Sequence, residues 1–379
     1  FIFTSFIFIS LCIIFECVSL LTLKYLFYPK RYFISKSLMY ESYIKNIDKK
    51  DIKLEEISFL GWEPKPNTNI KFENSIGELW SANIDVIGSR KGKNFKDTLV
   101  SVYGNSFAFC DEVNDNETWP YYLSEELKSS VLNFGVGGYG IDQAILRLEK
   151  KINQGVNTPI TILCIYEEDI NRCFNIFRPL IAGELTWKLF KPRFIHENNN
   201  LKLIHNPLYD IVRDDFAELT IEKMNKYDDW FIVQNNLAKI EFPFTLVIIK
   251  LMINYLSPSL TSEYLPPFDY WGDMNKTKLV DLLIERFYLL SEVNSFEPII
   301  VFIPRLFKNK SPLYKDYFSI IKDKYKNKIK FLDISKVKFD LDKFNISPFE
   351  GHASKYGNKV ISDNVYHLLK MEKEDKTKN

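Results

Sequence analysis

Histidine is scarce in this chain. There are four among 379 residues, so any general base working near neutral pH is chosen from a short field. Cysteine is also sparse. Cys12 and Cys17 lie in an apolar run, and Cys110, Cys164 and Cys173 are unevenly spaced, which excludes an obvious disulfide framework or a cysteine metal site. Cys164 falls in a predicted core strand, where a thiol acts as a small hydrophobe. Net charge is nearly absent: 50 Lys and Arg oppose 49 Asp and Glu, which gives no broad basic field for nucleic acid. No internal repeats are found. What abounds is aromatic and aliphatic side chain, enough for one large α/β domain with an appendage.

Phe1 to Leu23 is almost wholly apolar, with Glu16 its one charged residue. That length can span a bilayer, so a membrane anchor over 1–23 is expected. The chain begins at Phe1 rather than Met, as expected of a truncated or processed sequence. Residues 24–55 are charged and Tyr-rich and read as a stalk. Turn signals at Pro64, Pro66, Gly77, Gly88 and Gly92 divide 56–96 into short strand-like pieces, a small accessory subdomain.

The main domain is expected over 97–370. Short apolar runs predict buried parallel strands at 98–103, 130–134, 159–166, 297–303 and 329–333. Helical patterns at 118–128, 141–154, 277–294, 312–326 and 354–370 alternate with them, which implies a parallel sheet covered on both faces. Residues 174–275 break the alternation. They read as an insertion that either shapes access to the sheet's carboxyl edge or forms a cap with its own small core. The charged stretch 371–379 is expected to be disordered.

Three loops carry the candidate chemistry. The strand Thr98–Tyr103 ends in Gly104-Asn105-Ser106-Phe107, a tight turn that would push a hydroxyl out at the sheet's carboxyl edge, where α/β folds bind ligands. A glycine-rich turn follows the next strand at Asn133-Phe134-Gly135-Val136-Gly137-Gly138-Tyr139-Gly140. Its spacing misses G-x-G-x-x-G, so it is not a dinucleotide fingerprint. Near the C-terminus, Phe349-Glu350-Gly351-His352 precedes a helix. A serine, a histidine and backbone donors between them fit nucleophilic acyl transfer. His196 and His205 lie in the insertion, and His367 sits within the last predicted helix.

These blocks resemble those of the SGNH (GDSL-type) hydrolase superfamily, over roughly 95–175 and 275–370. Gly104-Asn105-Ser106 stands where the family has Gly-Asp-Ser. The resemblance makes Ser106 the nucleophile and His352 the base. It implies a flavodoxin-like strand order and an oxyanion hole built from the Ser106 and Gly138 amides. The family's Gly-x-Asn-Asp block is matched by Tyr166-Glu167-Glu168-Asp169, so Glu168 replaces the oxyanion Asn. A carboxylate only accepts hydrogen bonds. Asn171, one turn onward, is a possible substitute donor. Glu167, Glu168 and Asp169 together could hold a divalent cation, but are read as anchoring a loop, with no metal or cofactor. The family's acid precedes the His by three residues, where Phe349 stands; Glu350, two before His352, is the candidate acid, and a Ser-His dyad is the alternative.

Looser likeness at Gly61–Pro66 and Asn116–Pro120 is to membrane-anchored members associated with cell-surface polysaccharides. The basic residues Lys24, Lys30, Arg31 and Lys36 after the span point to a cytoplasmic domain by the positive-inside rule. The resemblance implies an extracytoplasmic one (periplasm or cell surface), and that reading is adopted. The expected function is a serine-dependent ester hydrolase or O-acetyltransferase acting on an acylated carbohydrate or small ester. The alternative is an impaired SGNH-fold protein that scaffolds polysaccharide.

Overall fold

The computed structural model describes residues 2–27, 34–47, 59–182, 189–256, 270–306, 315–347 and 351–376. In chain order the helices are α1 (Ile2–Thr22, continued by a π-helical turn Leu23–Phe27), α2 (Ser37–Lys45), α3 (Ser106–Phe109), α4 (Trp119–Leu127), α5 (Ile141–Asn153), α6 (Asp169–Arg172), α7 (Pro179–Ala182), α8 (Phe216–Tyr227), α9 (Asp229–Asn236), α10 (Phe244–Leu256), α11 (Met274–Asn294), α12 (Lys315–Tyr325), α13 (Leu341–Phe344) and α14 (Lys355–Lys376). The strands are β1 (Asn69–Glu73), β2 (Leu79–Asn83), β3 (Thr98–Gly104), β4 (Ser130–Asn133), β5 (Ile160–Tyr166), β6 (Arg193–Glu197), β7 (Asn200–Ile204), β8 (Glu297–Ile303) and β9 (Lys330–Asp333).

Two compact units emerge. The larger comprises 62–173, 192–204 and 270–379. Its centre is a parallel sheet in the order β4-β3-β5-β8-β9. Renumbered along the sheet's own chain order this is 2-1-3-4-5, the flavodoxin-like arrangement. The sequence explains it. All seven residues of β5, Ile-Thr-Ile-Leu-Cys-Ile-Tyr, are buried, as a strand covered on both faces must be. Val100, Val102, Ile162, Cys164, Val301 and Ile303 line one face and pack against Trp119, Leu123, Ile361 and Val365 of α4 and α14. Each such aliphatic side chain contributes roughly 1.5–3 kcal/mol on burial. A β1–β2 hairpin, within the expected accessory segment, and a β6–β7 hairpin complete this unit.

The smaller unit comprises 1–61, 174–191 and 205–269. Here the expected stalk is corrected. Ile34 and, on α2, Tyr40 and Ile44 are buried, because positions four apart on a helix share a face that can pack. Tyr40 meets Phe177 edge-on at 5.4 Å, and α2 packs on α8 and α9. The 174–275 segment is likewise not one insertion: most of it groups with the N-terminal region, and the β6–β7 hairpin groups with the sheet. The C-terminal tail is corrected too. α14 runs to Lys376, since Lys and Glu are good helix formers.

Candidate active site

Ser106 opens α3 directly after β3. Gly104 makes this turn possible. Its φ is +154°, and a Cβ there would lie 2.5 Å from the Cys164 carbonyl. Asn105 caps α3: its side-chain oxygen accepts from the Phe107 amide at 2.7 Å. Its amide nitrogen donates to both oxygens of Asp169, at 2.7 and 2.8 Å. Asp169 also accepts from the Tyr166 amide and from Arg172, and Arg172 donates onward to the Tyr139 carbonyl at 3.0 Å. A buried polar chain thus ties the serine turn to the residue after Gly138. Burial pushes the Asp169 carboxyl up to about 6, against the pull of Arg172 and its amide donors.

Gly138 stands at φ +85°, a left-handed turn position. Among the described residues, neither its amide nor that of Ser106 has a backbone partner. The glycine-rich turn approaches α3 closely: a Cβ on Gly135 would lie 2.2 Å from the Phe109 nitrogen.

His352 is half-buried, and its ring lies 5.1 Å from that of Phe107, the residue after the serine. Phe107 in turn stacks on Tyr166 at 4.3 Å. The His352 ring thus lies beside the residue that follows Ser106, and no hydrogen bond joins the Ser106 and His352 side chains among the described residues. Glu350 lies outside the described residues.

The structure brings in a carboxylate that sequence reasoning missed. Glu112 Oε1 lies 3.5 Å from His352 Nδ1, at ion-pair distance and without hydrogen-bond geometry. Its Oε2 accepts from the His352 amide at 3.4 Å and from Ser75 at 3.1 Å. Half-burial favours the neutral acid, but the contacts with His352 and Ser75 outweigh it and hold the carboxyl below its ordinary value. Glu112 has φ +73°, a costly conformation for a residue with a Cβ, of the kind that collects at functional sites. Buried Arg90 pins this loop, donating to the carbonyls of Phe109 (2.8 Å), Cys110 (2.6 Å) and Val113 (2.5 Å) and to Asp115 (2.8 Å). No sequence pattern marks Glu112, because it reaches His352 across 240 positions.

Glu168 pairs with Arg305, Oε1 to Nε, at 3.2 Å. Glu167 accepts from the Arg305 amide at 2.9 Å. Glu167 and Glu168 thus both engage Arg305 while Asp169 turns to Asn105 and Arg172, and no cluster suited to a metal occurs among the described residues. Asn171 lies in α6, half-buried, its amide bonded to the Glu168 carbonyl.

The expected blocks therefore sit at the carboxyl ends of β3, β4 and β5 and before α14, on a 2-1-3-4-5 sheet. The chain thus has a flavodoxin-like α/β fold that presents these loops at one edge of its sheet. No family model matches the sequence, and no curated protein is similar to it. Among solved structures, similarity extends to a G-D-S-L family protein from Desulfitobacterium hafniense, with 14% identity, TM-score 0.35, and 72% of this chain and 100% of that one covered. It extends also to a member of the lipolytic protein G-D-S-L family from Veillonella parvula, with 10% identity, TM-score 0.38 and coverage of 72% and 98%. A third is an alpha/beta hydrolase from the metagenome of Lake Arreo, with 10% identity, TM-score 0.35 and coverage of 73% and 95%.

Proposed function

We propose that the SGNH-like domain is a serine-dependent ester hydrolase or O-acyltransferase, with Ser106 as nucleophile and His352 as base. The observation that carries this reading is the Glu112–His352 pair beside Phe107. A carboxylate at Nδ1 keeps the proton there, leaving Nε2 as the acceptor for a serine hydroxyl. Ser106 Oγ attacks the acyl carbonyl while His352 takes its proton. The Ser106 and Gly138 amides receive the oxyanion. His352 then protonates the leaving alkoxide. Water or a sugar hydroxyl, deprotonated by His352, attacks the seryl ester and releases the acyl group.

Glu112 takes the orienting role for which Glu350 is the sequence-based candidate. Glu168 supplies no donor; its pairing with Arg305 offsets its charge near the oxyanion loop. We further propose an acylated carbohydrate as substrate, with the domain facing away from the cytoplasm, both supported by the motif resemblance. Covalent labelling by a serine-reactive phosphonate, with Ser106→Ala as control, tests the reading. Labelling of wild type but not the variant is expected. No Ser106-dependent labelling, together with no turnover of p-nitrophenyl acetate or an acetylated glycan, favours a scaffold role instead.

A further inference from the structure

The N-terminal helix does not stand alone in the smaller unit. As far as Glu16, α1 exposes apolar side chains all round, among them Phe3, Phe6, Phe8, Ile13 and Phe15. A helix apolar on every side belongs in a protein core or in lipid. Residues Phe3–Phe27 are long and apolar enough to cross a membrane. Beyond Glu16 the helix gains a companion. Val247 and Leu251 of α10 turn inward onto Leu23, Phe27 and Ile34. The opposite face of α10 carries Leu246, Ile249, Met252 and Ile253, each 45–57% exposed.

Polar contacts fix this pairing. Glu16, the one charge in α1, accepts from the Phe244 amide at 2.6 Å and the Thr245 amide at 3.3 Å, the open donors of α10's first turn. Ser19 and Thr245 share a hydroxyl contact at 3.2 Å. At the other end, Ser35 donates to the Ala238 carbonyl at 2.8 Å. The chain therefore passes from Ala238, beside Ile34, to the level of Glu16 at Phe244. Then α10 returns along α1 toward Phe27, about 16 Å at the helical rise of ~1.5 Å per residue.

We propose that α10 is a second membrane element, a re-entrant helix whose N-terminus reaches the level of Glu16 and whose outer face contacts lipid beside α1, and that α1 is retained as a permanent anchor. Its 13 residues fall short of a span and suit a re-entrant or interfacial segment. Beside α10, α1 still exposes Val18, Leu21 and Leu26, so both packed helices carry exposed apolar side chains next to a segment long enough to span a bilayer, which argues for lipid rather than a protein partner. Lys250, exposed and part-way along α10 toward the level of Phe27, can extend its ammonium toward water. Glu16 is satisfied by the α10 amides rather than left bare in the apolar layer. A cleaved leader would have no use for such a cap.

The test uses the full chain reconstituted in phosphatidylcholine–phosphatidylglycerol vesicles carrying a diazirine phospholipid, with adducts mapped by peptide mass spectrometry after irradiation. Adducts on both α1 and residues 246–253 are expected, and so is an α1 peptide in the mature protein. Adducts confined to α1, crosslinks between α10 helices of two copies instead of lipid adducts, or absence of the α1 peptide would each overturn the proposal. Glu16→Ala should reduce adducts on α10 at least twofold while those on α1 persist; an unchanged α10 pattern removes Glu16 from the argument. None of these readouts depends on Ser106 chemistry.

Discussion

The contact between Glu112 and His352 decides what single substitutions should do. Glu112→Gln keeps the size of the side chain and removes its charge. It should lower kcat/KM for p-nitrophenyl acetate by on the order of 10²–10⁴, as loss of the orienting carboxylate does in serine hydrolases. A merely structural role predicts lower stability with activity kept, so unfolding curves measured alongside separate the two. Glu168 invites the opposite change. Glu168→Asn restores a donor where the carboxylate can only accept, and should raise turnover, with a ceiling near the 10²–10³ that one oxyanion donor is worth. Ser106→Ala should abolish both activities. Asp169 supplies a pH signature. Its folded pKa, about 6, is raised above its ordinary value, so the folded state binds the extra proton. The group's contribution to stability is thus greatest below about pH 4, declines as pH rises from about 4 to about 6, and is flat above. Relative to Asp169→Asn, the wild type should lose roughly 3 kcal/mol over that window, from about two units at 1.36 kcal/mol each. Thermal unfolding of both proteins in detergent at several pH values checks it.

At the scale of elements, the site depends on loops held by groups that do no chemistry. Arg90 links the β2 carbonyl of Ser81 to three carbonyls and one carboxylate of the 109–115 loop. Arg90→Met would strand buried carbonyls at about 1–3 kcal/mol each, so a fall in stability of several kcal/mol is expected, together with loss of Glu112-dependent activity. Calorimetry and turnover on the same samples report both. Gly135 is a second such support, packed closely on Ala108 and Phe109 of α3. Gly135→Ala places a methyl inside the backbone of α3, and activity should fall even where the fold survives. Asn105 shows the same logic in miniature: it caps α3 and donates to Asp169, a pairing an Asp at 105 could make only by carrying a proton.

At the scale of the whole molecule, the five strands and the turns at Gly104 and Gly138 were legible in the sequence, and the order of the sheet through the family resemblance. Continuous β-branched runs such as Ile160–Tyr166 mark strands buried on both faces, and glycines at Gly104 and Gly138 mark turns only they can make. These are local signals, written within a few residues. The apolar character of α1 was legible for the same reason, since length and composition suffice to qualify a helix for a bilayer. Tertiary structure alone decided the rest. Glu112 meets His352, Arg305 meets Glu168, and Glu16 meets α10, each across a separation of more than a hundred residues. A carboxylate reads alike in sequence whether it faces water or a partner, because its role is set by what folding places within about 4 Å. The same reason explains the stalk: residues 34–47 look polar in composition, and only the docking of Ile34, Tyr40 and Ile44 turned them into part of a packed unit.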